Sequence, residues 1–196
     1  MALTLIGSFT SPYARKLRLL LWSDKSLIFK PVNYLEEEGN QYLRSINPLN
    51  QIPMLFDGET PIYDSRVIYN YISKKWKLKE LTIEEENILS IIDTAMSTGV
   101  NLFSLRKGGI DINQKDHYFL VRQVDRIPRL IEHLIPCVKK LDPKSDWNYL
   151  TMSFLSLIYW LEMREIYSSK HIPEVVDFMK RFSECPGVLE TEIPKA

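Results

Sequence analysis

The chain has 196 residues, 45% of them hydrophobic and 26% charged, which is typical of a globular protein with a substantial core. Its 25 basic and 25 acidic residues give a net charge of zero, so the overall composition does not favour binding to nucleic acid or to an anionic membrane. The first residues lack a basic leader, and the longest mainly apolar run, FLSLIYWL, is too short to cross a bilayer. We therefore expect a soluble, intracellular, cytoplasmic protein.

Up to about Trp76, short strand-like runs alternate with helical ones. The run LTLIG, from Leu3 to Gly7, has the length of a strand, and the apolar residues after it recur at helical spacing. IFKPVNY predicts a second strand, which Pro31 confines to a sheet edge because proline cannot donate a ladder hydrogen bond. After an irregular or helical stretch, PMLFDGETPIY predicts a hairpin around an Asp57-Gly58 turn, with Pro61 on the other edge.

The segment DSRVIYNYISKKW predicts a helix that closes this half of the chain, with an apolar face formed by Val67, Ile68, Tyr71 and Ile72. The order β-α-β, then β-β-α, fits a four-stranded sheet in which the first crossover is right-handed and the first two strands are parallel. This is the thioredoxin-like α/β arrangement. We assign it to residues 1–76.

Residues 77–83 are interpreted as a charged linker and residues 84–196 as an all-helical domain. Thr82 and Glu85 fit a capping box at the start of the first helix. A second helix is predicted at about 115–141, interrupted or bent at Pro128 and Pro136. A third, at about 150–167, is apolar nearly all round and is expected to be the buried centre of this half. A short fourth helix follows HIP, and the chain ends in the tail ECPGVLETEIPKA.

The cysteines and histidines show no metal-binding or redox spacing. Cys137 and Cys185 lie far apart and outside any C-x-x-C motif, and we interpret them as isolated reduced thiols. The three histidines have no spacing typical of metal ligands, and no phosphate-binding glycine loop occurs. No metal is expected.

Three stretches, SPYARKLRLLL, NPLNQIPML and IYDSRVIYNYI, resemble the defining stretches of the N-terminal domain of the glutathione S-transferase family, in the same order and at roughly the same separation. The helical remainder resembles the C-terminal domain of that family. The resemblance implies the glutathione transferase fold, a thioredoxin-like α/β domain followed by an all-α domain. It also implies glutathione as co-substrate, a small hydrophobic electrophile as second substrate, a role in detoxification, and a homodimer with the 64–76 helix near the partner.

Ser11 has two interpretations. Serine followed by proline is a good N-cap and first-turn pair, which requires no catalytic role. The same position also collects helix N–H groups where the helix dipole favours an anion. In the family the glutathione sulfur lies here, so the resemblance implies that Ser11 is catalytic and donates a hydrogen bond to the thiolate. The hydroxyl would cap the helix in one rotamer and donate in another.

Other family branches differ at this position. Those with thiol-reductase chemistry carry a cysteine where Ser11 stands, so this chain resembles the serine-type branches, and mixed-disulfide chemistry through residue 11 is excluded. Thr10 is a rival hydroxyl, and Tyr13 is a weaker one.

The resemblance implies two further sets of contacts to glutathione. In the family the proline equivalent to Pro53 is cis, which turns the backbone of Ile52 toward the cysteinyl unit, while Gln51 is a further side-chain contact. Asp64 and Ser65 correspond to the acid and hydroxyl that hold the γ-glutamyl group, although both also suit a helix N-terminus. A cation for the glycyl carboxylate is less clear, and Arg44 is one candidate. Asparagine at position 50, where the family usually has glycine, suits a left-handed turn.

A weak set of second-substrate candidates completes the interpretation, since most apolar residues at helical spacing belong to the core. These candidates are Phe9, Tyr13, Met96, Leu102, Phe103 and Arg106, expected in a cleft between the two halves.

Two departures from the family pattern favour an alternative function. In the family the third helix of this domain begins with Ser or Thr followed three residues later by aspartate, which form a capping pair. Here Thr151 is present but Phe154 takes the place of the aspartate, so we expect this helix to lose its cap. Cys185 stands where arginine is frequent.

These departures slightly favour a non-catalytic regulatory or scaffolding protein with the same fold, whereas the intact Ser11, Pro53, Asp64 and Ser65 argue against it. A glutathione-dependent isomerase or dehalogenase would use the same thiolate and is a further alternative.

Overall fold

The protein is described by a computed structural model that covers residues 2–193. It divides into two units, one made of the N-terminal part through Glu80 together with the C-terminal tail from Pro186, and one spanning Leu81–Cys185. The boundary falls inside the predicted linker. The division into a 1–76 domain, a 77–83 linker and an 84–196 domain stays a prediction. The tail, however, belongs to the first unit and not to the helical half in which the sequence placed it.

A four-stranded mixed sheet forms the first unit. Its strands are β1 (Leu3–Gly7), β2 (Ile28–Pro31), β3 (Met54–Asp57) and β4 (Thr60–Tyr63), and their order in the sheet is β2-β1-β3-β4. The β1–β2 pair is parallel and the other two pairs are antiparallel. Pro31 and Pro61 therefore lie on the two edge strands, as predicted, because an edge strand leaves one row of N–H groups unpaired.

The hairpin between β3 and β4 is shifted by one residue from the expected turn. Asp57 pairs with Thr60, so the two loop residues are Gly58 and Glu59, and Gly58 takes the left-handed φ of 60°. Asp57 stays in the strand, where its carboxylate accepts hydrogen bonds from the side chains of Tyr71 and Lys75.

Three helices complete the first unit: α1 (Pro12–Leu20), α2 (Glu37–Ile46) and α3 (Ser65–Trp76). The irregular or helical stretch before β3 is thus α2. On α3, Ile68 and Ile72 are fully buried, whereas Val67, which also belongs to the predicted apolar face, is 52% exposed. Tyr69 is buried in its place.

The second unit is helical throughout, with α4 (Ile83–Lys107), α5 (Tyr118–Val138), α6 (Tyr149–Met163) and α7 (Pro173–Phe182). The capping box between Thr82 and Glu85 is present at the start of α4. α5 continues through Pro128 and Pro136 without interruption. α6 is buried over almost its whole length, which confirms it as the centre of this unit.

α4 is long and apolar enough to pass a test for a membrane span, with a mean hydropathy of 1.4 over 18 of its residues. Its charged capping box and its packing against α5 and α6 instead fit the core helix of a helical unit.

The start of α6 is capped, contrary to the interpretation that Phe154 removes its cap. The N-cap is Asn148, whose Oδ1 accepts from the backbone N–H of Leu150 at 3.0 Å and of Thr151 at 3.3 Å. The hydroxyl of Thr151 in turn accepts from the N–H of Asn148 at 3.0 Å. Phe154 is fully buried and packs edge-on against Phe178, with ring centres 5.0 Å apart. The position therefore contributes apolar packing, and the cap is provided three residues earlier than expected.

Candidate functional site

The sheet register brings the three motif segments of the first unit to one end of the sheet. Ile6 near the end of β1 pairs with Met54 at the start of β3, and Met54 also pairs with Tyr63 at the end of β4. Residues 8–11 follow β1, residues 50–53 precede β3, and residues 64–65 follow β4. All three segments therefore leave the sheet at the same end, which the local sequence alone does not reveal.

Ser11 lies at the N-terminus of α1 in extended conformation and is only 8% exposed. Its Oγ accepts a hydrogen bond from the backbone N–H of Ala14 at 3.2 Å, and Pro12 takes the first helical position. No acidic residue lies in the first turn of α1, so the partial positive charge of this helix end is not offset locally.

The cap does not use the proton of the Ser11 hydroxyl. A serine hydroxyl has one donor and two acceptor positions, and the contact with Ala14 occupies one acceptor. The hydroxyl can therefore cap the helix and donate to an anion at the same time. This differs from the expectation of two alternating rotamers.

The rival hydroxyl at Thr10 is tied to a neighbour that the sequence interpretation missed. The hydroxyls of Ser8 and Thr10 lie 3.1 Å apart, and the N–H of Thr10 donates to Ser8 Oγ at 3.3 Å. Ser11 alone among these three is the N-cap of α1.

The loop before β3 is organised by Asn47, a second residue that the sequence interpretation missed. Asn47 is 2% exposed, and its Nδ2 donates to the backbone carbonyl of Gln51 at 2.6 Å. Its Oδ1 accepts from the N–H of Leu49 at 2.9 Å. An Asn-Pro pair commonly starts such a side-chain-stabilised turn, so the run NPLN held the signal.

Other features of this loop agree with the expectations. Asn50 has a left-handed φ of 49°, and the Ile52–Pro53 peptide bond is cis. Ile52 packs partly buried against the core residues Ile6 and Met54. Gln51 is exposed, as is Arg44 in the last turn of α2.

Asp64 and Ser65 form the start of α3. Asp64 is the N-cap, and its Oδ1 accepts from the N–H of Arg66 at 2.7 Å. The backbone of Asp64 has a φ of 69° and a ψ of 135°, a combination that costs a non-glycine residue on the order of 1–3 kcal/mol. Ser65 is 5% exposed. The exposed carboxylate thus stands at a helix N-terminus in a conformation that glycine would adopt more easily.

Among the second-substrate candidates, Phe9 and Tyr13 lie in the same unit as Ser11. Phe9 is 36% exposed and contacts Phe29 edge to face, with ring centres 5.1 Å apart. Tyr13 is half-buried on α1, and the ammonium of Lys16 lies 5.3 Å from the centre of its ring.

The other candidates lie on α4 in the second unit. Met96 and Leu102 are buried, as expected for core positions of an apolar helix face, so their role as a substrate surface is not supported. Phe103 packs edge-on against Trp160 at 5.7 Å. Arg106 donates to the backbone carbonyls of Glu165 and Arg164 just beyond α6, so its guanidinium is engaged in structure.

Neither cysteine is a reactive centre of this site. Both are free thiols, and burial raises the pKa of Cys137 and of Cys185, which keeps them protonated. Within residues 2–193, no cluster of three or more His, Cys, Asp or Glu side chains could hold a metal ion.

Comparison with known proteins places this geometry in context. Residues 1–74 match the family model described as "Glutathione S-transferase, N-terminal domain". Over 98% of this chain and 99% of the relative, the sequence is 27% identical to the uncharacterized GST-like protein YibF of Escherichia coli K12. It is 24% identical to glutathione S-transferase U6 of Arabidopsis thaliana, over 95% of this chain and 86% of the relative.

Solved structures show the same fold along almost the whole chain. A glutathione transferase family member from Pseudomonas fluorescens Pf-5, with bound glutathione, superposes with a TM-score of 0.79 at 22% identity, over 99% of this chain and 100% of the other. A glutathione S-transferase from Methylobacillus flagellatus KT, also with glutathione bound, gives a TM-score of 0.82 at 18% identity, over 98% of this chain and 100% of the other. The thioredoxin-like domain followed by an all-α domain is therefore the fold of this chain.

Proposed function

We propose that this chain, which belongs to the glutathione S-transferase family, binds glutathione at the end of the sheet that carries Ser11. There it activates the glutathione thiol for attack on a small hydrophobic electrophile. The observation that carries this proposal is the convergence of three segments at one end of the sheet: the N-cap Ser11, the 50–53 loop, and the α3 N-terminus at Asp64.

Ser11 activates the thiol by stabilising its anion. A free thiol has a pKa of about 8.5 and is mostly protonated at neutral pH. A hydrogen bond to a charged group is worth about 1.5–3 kcal/mol and a helix N-terminus about 0.3–1 kcal/mol. At about 1.36 kcal/mol for each pH unit, together they lower the pKa of the bound thiol by about 1–3. When the pKa falls by more than about 1.5, the bound tripeptide is largely thiolate at pH 7.

Three further groups hold the tripeptide in this proposal. The N–H and C=O of Ile52 pair with the cysteinyl backbone in the manner of an added strand. Asp64 offers its carboxylate to the ammonium of the γ-glutamyl group, and Ser65 with the α3 N-terminus receives the γ-glutamyl carboxylate. Gln51, exposed beside Ile52, is a further contact.

The proposed reaction forms one bond from sulfur to carbon. The thiol proton passes to solvent, and the sulfur electron pair attacks an electrophilic carbon of the second substrate. In a substitution the leaving group departs with its bonding pair, and in an addition the displaced pair is protonated by water. Phe9 and Tyr13 provide an apolar surface beside Ser11 for such a substrate.

One of the two departures from the family pattern leaves the fold intact. The helix expected to lose its cap is capped by Asn148, and Phe154 fills the core. We further propose a cytoplasmic homodimer with a role in detoxification, in keeping with the family resemblance.

A turnover experiment tests the proposal. Wild-type protein is mixed with glutathione and an activated aryl chloride, and Ser11→Ala is compared with the neighbouring variants Thr10→Val and Ser8→Ala. We expect turnover in wild type and a fall of about 10- to 100-fold only in Ser11→Ala, since a charge-assisted hydrogen bond of about 1.5–3 kcal/mol is lost. A fall in turnover only in Thr10→Val would show that Thr10, and not Ser11, donates the hydrogen bond to the thiolate. If the wild-type protein neither bound glutathione nor turned over the aryl chloride, the proposed function would be refuted.

A further inference from the structure

Arg18, on α1, contacts two aromatic rings near Ser11, those of Phe9 and Phe29. Its side chain is buried, and its guanidinium carbon lies 5.0 Å from the ring centre of Phe9 and 4.8 Å from that of Phe29. The two rings contact each other edge to face at 5.1 Å. A cation over an aromatic ring is stabilising, and more so when it is shielded from water. These three residues, the Arg18 cluster, therefore fix the ring of Phe9 two residues before Ser11.

The C-terminal tail holds the guanidinium of Arg18 in this position. Nη1 of Arg18 donates to the carbonyl of Thr191 at 3.2 Å, and Nη2 donates to the carbonyl of Glu190 at 3.3 Å. Nη2 of Arg15 donates to the carbonyl of Val188 at 3.2 Å. Both arginines of α1 are thus bound to backbone carbonyls of the tail, more than 170 residues away along the chain.

Close packing, as well as hydrogen bonding, holds the tail against the first unit. Thr191 is fully buried. Gly187 has a left-handed φ of 85°, and a Cβ at this position would lie 2.7 Å from Cγ of Trp22. Only glycine fits this approach without displacing the tail from the indole ring. Burial, together with the nearby charge of Arg15, lowers the pKa of Arg18 to about 10, so the guanidinium stays charged at neutral pH.

We propose that Arg18 is a positioning residue for Phe9 and that the tail, residues 187–191, holds Arg18 in place, so that the tail controls how the site receives its second substrate. This inference rests on the proposed function. Arg18 touches no reacting atom; it acts through the ring of Phe9. Glutathione has its own anchors at Ile52, Asp64 and Ser65, so disturbance of the Arg18 cluster affects the electrophile more than glutathione.

The test uses two substitutions, one on α1 and one in the tail, that should both disturb the position of Phe9. Arg18→Leu removes the cation from the rings, and Gly187→Val displaces the tail while leaving α1 unchanged. Arg18→Lys keeps a cation near the rings but lacks the planar fork whose two separate nitrogens donate to the carbonyls of Thr191 and Glu190. The matched control is Lys25→Leu, which removes an exposed cation 5.1 Å from the ring of Trp22.

The first readout does not depend on activity. Hydrogen exchange of the peptide that contains Phe9 to Ser11 is compared with exchange of an α6 peptide in each variant. We expect Arg18→Leu and Gly187→Val to speed exchange at the site loop about tenfold, equivalent to about 1.4 kcal/mol, with α6 unchanged. Lys25→Leu should match wild type, and Arg18→Lys should lie between. Unchanged loop exchange in both principal variants overturns the inference. Equal acceleration in α6 also overturns it, because the effect is then a general loss of stability.

The second readout separates the two substrates. With glutathione and the aryl chloride, both principal variants should raise KM for the aryl chloride about three- to tenfold and leave KM for glutathione within about twofold. A rise in both KM values, or in neither, contradicts the positioning role. Absence of turnover in wild type would refute the proposed function, and the exchange experiment would still decide whether the tail fixes Phe9.

Discussion

Replacement of Asn47 by alanine should loosen the loop that presents Ile52 and Gln51 to glutathione. The buried amide makes two hydrogen bonds inside this loop, at 2.6 Å to the Gln51 carbonyl and at 2.9 Å from the Leu49 N–H. A net contribution of about 0.5–1.5 kcal/mol for each bond, and a further cost for a partner left unsatisfied, predict a loss of about 2–3 kcal/mol in the free energy of unfolding.

Two measurements check this prediction. Urea unfolding gives the loss of stability, and titration calorimetry with glutathione gives the affinity, which should fall about tenfold because the loop no longer holds Ile52 in place. Asn47→Asp retains the acceptor for Leu49 but places a buried carboxylate oxygen against the Gln51 carbonyl, so it should cost at least as much stability as Asn47→Ala. Asn70→Ala, at an exposed position of α3, is the control and should match wild type.

The reasoning would be refuted if Asn47→Ala unfolded at the wild-type urea concentration and bound glutathione with unchanged affinity. A loss of stability without loss of affinity would show that Asn47 supports the fold but does not orient the binding segment.

Three other predictions concern stability, and the first of them also concerns glutathione binding. Asp64→Gly should relieve a backbone cost on the order of 1 kcal/mol, raising the melting temperature, while glutathione affinity falls because the carboxylate is lost. Hydrogen bonds from Lys75 and Tyr71 lower the pKa of Asp57, so the contribution of Asp57 to stability is present at neutral pH and is lost as the pH falls through that lowered pKa. Asp57→Asn should therefore be less stable at pH 7. Its free energy of unfolding in urea should also change less than that of wild type between pH 7 and pH 3. Asn148→Ala should cost about 1 kcal/mol in the free energy of unfolding, and an unchanged value would show that the α6 cap is dispensable.

Local patterns predicted most of the fold. Pro31 and Pro61 marked the sheet edges, and Thr82 with Glu85 marked the start of α4, because each feature depends on residues a few positions apart. The shift of the hairpin to Gly58 and Glu59 was not predictable in this way, since Asp57 is held in its strand by side chains from α3.

The site was predictable as a set of residue types but not as a complete arrangement. Ser11 at the start of α1 follows from the Ser-Pro pair, and Asn50 follows from its tolerance of a left-handed φ. The contact of Arg18 with the tail at Thr191 joins residues separated by 173 positions, and no local pattern reports such a pairing. No local pattern therefore indicated that the tail packs with the first unit, as it does in the structure.

The central claim is that the Ser11 hydroxyl and the α1 N-terminus make the thiol of bound glutathione more acidic. Ultraviolet difference spectroscopy of the thiolate, recorded across pH with wild-type protein and with Ser11→Ala, measures this directly. We expect the pKa of bound glutathione to lie about 1–3 below its free value of about 8.5 in wild type and to return most of the way in Ser11→Ala. A thiol in the wild-type complex that is no more acidic than free glutathione would contradict the account.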